Sequence, residues 1–140
     1  MKSFLIIVPI AVISLANSCS KSTGILKEGS VEIKLHECKN GFISGDDLKL
    51  CFDAVISDSR CPANAICIWQ GAATVKLSFT KNEQAHSFNL SSLTMPPTYN
   101  KDTVIAGYKF EFINLSPYPG TVSGPIPDNQ RKAEIKITKQ

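Results

Sequence analysis

The stretch LKLCFDAV, residues 48–55, decides how the chain folds. Leu48, Leu50, Phe52 and Ala54 alternate with Lys49, Cys51 and Asp53, so an extended backbone sets an apolar row on one face and a polar row on the other. The same period of two recurs on either side. Upstream, VEIKLHE sets Val31, Ile33 and Leu35 against Glu32, Lys34 and His36; downstream, TVKLSFT sets Val75, Leu77 and Phe79 against Lys76 and Ser78. Farther on, HSFNL offers Phe88 and Leu90, YKFEF offers Tyr108, Phe110 and Phe112, and KAEIKI offers Ala133, Ile135 and Ile137. Repeated alternation of this kind predicts an all-β domain whose sheets are buried on one face and wet on the other. Turn-rich breaks at KNGFISGDD, TMPPTYNKD and SPYPGTVSGPIPDNQ separate the segments. The expected architecture is a small antiparallel β-sandwich, with a small β-barrel as the alternative.

The N-terminus sets the compartment. Met1 and Lys2 precede FLIIVPIAVISLA, an apolar run of thirteen residues from Phe4 to Ala16. That length suits the apolar region of a signal peptide and falls short of the ~20 residues of a membrane-spanning helix. Pro9 inside the run also disfavours a spanning helix. The run ends at LANSCS, where Ala16 and Ser18 lead into Cys19, and cleavage is expected here. The stretch resembles a bacterial lipobox, in which the cysteine becomes the lipidated first residue of the mature chain. It departs from the common pattern in carrying Ala16 three residues before the cysteine, with Leu15 one place earlier. Ordinary secretion and a retained anchor helix are the other readings. Residues 1–18 are thus expected as a cleaved signal peptide, Cys19 as the lipid-bearing residue, residues 19–29 as a flexible tether and residues 30–140 as the all-β domain. The tether expectation rests on the small polar composition of SKSTGILKEGS. No acidic residue follows Cys19 directly, which by resemblance to known sorting rules points to an outer membrane, facing the periplasm.

Cleavage leaves 122 of the 140 residues, enough for one domain with one core. It removes only Lys2 from the charged set and lowers the net charge from +3 to +2. Lysines are spread singly, without a basic cluster, so nothing argues for nucleic acid as a partner. The expected partners are the membrane, through the N-terminal lipid, and an envelope protein.

With Cys19 set apart, Cys38, Cys51, Cys61 and Cys67 remain, and four cysteines allow three pairings. An even count in a small exported domain implies disulfides. Cys61 with Cys67 is favoured because the five residues between them, starting at Pro62, form a compact loop. Cys38 with Cys51 follows, since an antiparallel hairpin through KNGFISGDD brings them face to face. A structural zinc site would need pairs at C-x2-4-C spacing, and these gaps are longer. No metal or cofactor is expected. His36 and His86 fall on the polar parity of their segments and read as surface residues. There is no G-x-S-x-G, two isolated histidines give no triad, and the aspartates of GDD sit beside a glycine where they serve turn geometry. Asp53 and Asp58 could face a ligand, but their spacing does not demand one. An enzyme is not expected.

The segment FDAVISDSRCPANAICIWQGAATVKLSF, residues 52–79, resembles a group of small uncharacterised bacterial secreted proteins and lipoproteins with a core of the form D-S-R-C-P, a short spacer and C-[IV]-W-x-G. FINLSPYPG and RKAEIKITK resemble the same group's later strands and turn. Gln70 stands where alanine is common in that group, and Cys38 and Cys51 are additions to its pattern. The resemblance implies an all-β fold and a Cys61 to Cys67 bond, and brings no activity with it. Within the loop, the favoured reading has Asp58 and Arg60 bracing it by a charge-assisted contact while Trp69 covers the disulfide and the core edge. The other reading makes Trp69, with Arg60 and Ile68, an exposed anchor for a partner. Function is accordingly expected to be non-catalytic binding or structure at the cell envelope, with SPYPGTVSGPIP as a second contact candidate. The alternative is an inhibitor-like module presenting the Cys61 to Cys67 loop to an envelope protease, which requires Arg60 or a neighbour to be exposed.

Overall fold

The computed structural model describes residues 25–94 and 100–140; the expected signal peptide, residues 1–18, and Cys19 lie outside the described residues. Eight strands form: β1 (Gly29–Lys34), β2 (Cys38–Ile43), β3 (Asp46–Asp58), β4 (Ala73–Lys81), β5 (Gln84–Ser91), β6 (Asp102–Ile105), β7 (Tyr108–Ser116) and β8 (Lys132–Lys139). They make two four-stranded antiparallel sheets. One is the meander β2-β3-β4-β5; the other is ordered β1-β8-β7-β6, with β1 added beside the last strand. The sheets do not close into a barrel, so the fold is a small β-sandwich.

The alternating residues supply the core. Ile33, Leu48, Leu50, Phe52, Val75, Leu77, Phe79, Tyr108, Phe110, Ile135 and Ile137 are buried between the sheets. Phe79 meets Phe110 edge-on at 4.7 Å between ring centres and Tyr108 at 5.8 Å, contacts that add to area burial. Two departures from simple alternation come from register shifts. In β3 the shift after Phe52 leaves Ala54 half-exposed and turns Val55 to the core, against the expectation for Ala54. In β7 the shift after Phe112 sends Ile113 to solvent and Leu115 inward. A bulge inserts one residue and reverses the parity that follows it.

Three further differences concern segments expected as breaks, turns or tether. Most of KNGFISGDD is strand: β2 pairs with β3 up to Ile43 opposite Asp46, and only Ser44 and Gly45 turn. The short β6 had no alternating run long enough to mark it. Residues 25–29, expected as tether, are docked: Ile25 bridges Asn40 in parallel, the Leu26 N–H donates to Asn40 O at 2.8 Å, and the Leu26 side chain is buried in the core. Gly41 permits this, since a Cβ there would stand 2.0 Å from Leu26 O.

The hairpin turns Ser44–Gly45, Asn82–Glu83 and Ala106–Gly107 all hold both residues at positive φ, the geometry that matches strand twist. Glu83, at φ 72°, is strained, as is Ala106 at φ 50°, because neither side chain gains anything in the left-handed region that Asn82 tolerates. Glu83→Gly is expected to stabilise the domain by about 0.5 to 1 kcal/mol, the relief of the left-handed penalty less glycine's extra chain entropy. A urea midpoint that falls instead would contradict this.

The Tyr108 side chain is buried, and its hydroxyl, at the Ser44–Gly45 turn, donates to Asp46 Oδ2 at 2.8 Å and lies 3.2 Å from Ile43 O. Burial first, and then the Asp46 carboxylate, push its pKa from 10.0 up to about 12. The hydrogen bond from Tyr108 and the Lys81 ammonium in turn hold the Asp46 carboxyl below its ordinary value. A raised folded-state pKa stabilises below the unfolded value and loses that contribution as pH rises through the folded one. Stability should therefore fall between pH 10 and about 12, and fall less in Tyr108→Phe, which has no phenol to ionise. Parallel pH profiles of the two proteins by urea unfolding would refute the assignment.

Candidate functional site

The loop between β3 and β4 is closed in three ways. Its neck continues the strand ladder: the Ser59 N–H donates to Ala72 O and the Cys61 N–H to Gln70 O, each at 2.9 Å, and the Ala72 N–H donates to the Ser59 hydroxyl oxygen. Cys61 and Cys67 are joined by a disulfide, as are Cys38 and Cys51, which face each other directly across β2 and β3. Each link restricts the unfolded chain by about 2 to 3 kcal/mol. The Ala65 N–H donates to Pro62 O at 3.0 Å inside the ring, and the Ala63 N–H to Pro119 O at 2.8 Å in the loop that follows β7.

The third closure is ionic. Asp58 accepts both Nε of Arg60, at 2.7 Å, and Nη2, at 2.8 Å. Both side chains are more than nine-tenths buried. Arg60 Nη1 donates to Leu115 O at 2.6 Å, Nη2 reaches Pro117 O at 3.4 Å, and the guanidinium lies 4.7 Å from the centre of the Tyr118 ring. Arg131 approaches the same carboxylate from β8's side, Nη1 to Asp58 Oδ2 at 3.6 Å, with Nη1 buried and making no hydrogen bond. One guanidinium thus ties the end of β3 to the end of β7 and to the proline-rich loop. Arg60 braces the loop and is not part of an exposed surface, which corrects its place in the anchor reading and in the inhibitor reading.

Trp69 lies on the other side of that division. It is 60% exposed, and Ile66 and Ile68 are as open as in an extended chain, at 105% and 110%. It therefore does not cover the disulfide, contrary to the favoured expectation. The buried members of this loop and its neck are Arg60, Ala72 and Ala73, while Cys67 itself is exposed. The result is an exposed apolar tip of Ile66, Ile68 and Trp69 on a loop closed by a disulfide. Beside it lies a shallow depression of about 220 Å³ bordered by Gln70, Gly71, Ile113, Asn114 and Tyr118. Across the loop a second, of about 310 Å³, is bordered by Pro62, Pro119, Pro125, Ile126 and Arg131.

Other candidates take structural places. Asp53 accepts a hydrogen bond from the Ser78 hydroxyl across β3 and β4, and Asp46 binds Tyr108 and Lys81. His86 is exposed on β5 and His36 is exposed at the corner after β1, in a turn and not in the strand expected there. Among the described residues no three His, Cys, Asp or Glu side chains gather in a metal-holding arrangement. Ile66 escaped the sequence reading, although its place next to Cys67 in a short ring was the available signal. The roles of Leu115, Pro117 and Tyr118 around Arg60 carried no local signal. The two disulfides assign the domain to an oxidising, extracytoplasmic compartment, and among the described residues no helix is long and apolar enough to cross a membrane. No protein-family model matches the chain, and neither a search of curated proteins nor one of solved structures found a match.

Proposed function

We propose that this chain is a lipid-anchored lipoprotein of a bacterial cell envelope, held through Cys19 on the periplasmic face of an outer membrane, and that its domain is a non-catalytic contact module. The observation that carries the second half is the apolar tip: three large side chains stand in solvent on a loop held by a disulfide and a buried guanidinium, and such exposure is retained where something binds. The first half is supported by the thirteen-residue apolar run ending in LANSCS, and by the resemblance of the DSRCP…CIWQG segment to secreted proteins and lipoproteins. Metabolic palmitate labelling of the full chain and of Cys19→Ser tests the anchor. The parent should label and sediment with membranes, and the variant should do neither; equal labelling of both would refute it.

An inhibitor-like module remains as a second reading because Ile66, next to Cys67, presents an extended apolar side chain on a ring closed by a disulfide. With Arg60 buried, a protease target would need an apolar specificity pocket, not an acidic one. Unchanged activity of chymotrypsin-like and elastase-like enzymes at stoichiometric protein would end that reading.

A further inference from the structure

An edge strand offers its outer row of backbone groups to any further strand, and natural sheets guard against this with charge, short length or cover. Three of the four edges of this sandwich are guarded. β1 carries Glu32 and Lys34, and β6 is four residues long with Asp102 at its start. β2 carries Lys39, and the Leu26 N–H already occupies Asn40 O on its outer side. β5 is the exception: eight residues without Asp, Glu, Lys, Arg or Pro, and in unbroken register with β4.

The ladder decides which groups of β5 face outward. The Asn82–Glu83 turn closes on the pair Lys81 and Gln84, and the Ser92 N–H donates to Ala73 O, so Gln84, His86, Phe88 and Leu90 bond to β4. The N–H and C=O groups of Ala85, Ser87 and Asn89 therefore point away from the sheet, and among the described residues no backbone group bonds to them. All three residues are exposed. This open window has a stop at each end. At one end the chain turns away through Asn82 and Glu83; at the other the Ser91 N–H donates to Asn100 O at 3.0 Å, which fills the next place outside the strand. Ser87 is the midpoint of the window from Gln84 to Leu90.

We infer that β5 is a dimer interface, where two copies of this chain pair their β5 strands antiparallel about a two-fold axis at Ser87. A window stopped at both ends and centred on one residue fits its own copy, turned end for end, without overhang. Ser87 then faces the partner's Ser87 and Ala85 faces the partner's Asn89, each pair exchanging two backbone hydrogen bonds. No like charges meet along the seam, because β5 carries none. The row toward the other sheet matches too. His86 belongs to that row, opposite buried Phe79, and not to the polar row expected for it. Phe88 is half-buried with its ring 5.1 Å from that of Phe110, while His86 is exposed. Two-fold pairing sets each His86 against the partner's Phe88, a cross-strand aromatic pair that covers the open side of the phenyl ring. This self-complementarity favours a second copy over an unrelated peptide. The pair consumes the one unguarded edge, so assembly closes at two copies. Nothing in the pairing depends on how Cys19 is anchored.

Sedimentation equilibrium of the full-length oxidised protein in density-matched mild detergent tests the interface. The parent is expected to form a dimer that dissociates in the micromolar range. Ser87→Lys and Ser87→Glu each bring like charges together at the axis and should raise the dissociation constant several-fold. An equal mixture of the two variants should associate more tightly than either alone, since a mixed dimer sets an ammonium against a carboxylate. Ser87 is exposed, so far-ultraviolet circular dichroism and the urea midpoint of both variants should match the parent's at concentrations where all are monomeric. A parent that stays monomeric overturns the dimer, and protection of its β5 amides from hydrogen exchange only on adding envelope extract would give the edge to another chain instead. Variants that dimerise as tightly as the parent overturn it by placing the interface elsewhere. A mixture no tighter than its components overturns the axis at Ser87 and the proposal with it.

Discussion

Arg60→Ala is expected to lower the free energy of unfolding by about 3 to 5 kcal/mol, because it leaves the Asp58 carboxylate buried without its bidentate partner. Arg131, at 3.6 Å and without a hydrogen bond to that carboxylate, replaces only part of the interaction. The carbonyls of Leu115 and Pro117 lose their donors at the same time, and the Tyr118 ring loses its cation. Arg60→Lys should recover little, since a point charge on a flexible stem cannot hold both carboxylate oxygens and two carbonyls at once. Urea unfolding of the three proteins decides the matter. A loss below about 1 kcal/mol for Arg60→Ala would mean that Asp58 is adequately held by Arg131, and that the loop is braced elsewhere.

The second large effect is expected at Gly71. Its φ is +67°, and a Cβ there would lie 1.7 Å from Ser59 O and 2.9 Å from Arg60 Cα. Gly71→Ala therefore adds a left-handed penalty of about 1 to 2 kcal/mol to a backbone collision that no rotamer relieves. To escape it the neck must open, breaking the Ser59 to Ala72 and Cys61 to Gln70 hydrogen bonds and shifting the backbone that aims Arg60. A total of at least about 3 kcal/mol is expected, within the range of severe single substitutions with a named steric cause. Thermal unfolding measures it. A variant within about 1 kcal/mol of the parent would show the neck to be more yielding than its hydrogen bonding implies.

The two predictions share an origin. The loop is held by groups drawn from far along the chain, so it behaves as part of the sandwich and not as a surface appendage. This is why its tip can carry three large apolar residues in solvent without collapsing onto the core.

What was legible in advance follows from a local rule. Alternation along LKLCFDAV, TVKLSFT, YKFEF and KAEIKI marks the buried faces because successive side chains of any strand point to opposite sides. The residues so marked, apart from Ala54, line the core. The disulfide pairs were legible for the same reason: a short ring for Cys61 and Cys67, and matching positions on one hairpin for Cys38 and Cys51. β2 and β6 were not legible, since Asn40 and Gly41 look like turn residues until β3 and Leu26 are there to pair with them. Nor were the bulges, whose parity changes depend on the partner strand's register. The fate of Arg60 and Trp69 belongs to the same class. From composition either one could be the buried member of the loop. Tertiary contact settles it, because Leu115 and Pro117, more than fifty residues away, bring carbonyls to the guanidinium, and the Asp58 carboxylate follows it inside. The charged pair is thus the buried member of the loop, and the indole stands in solvent.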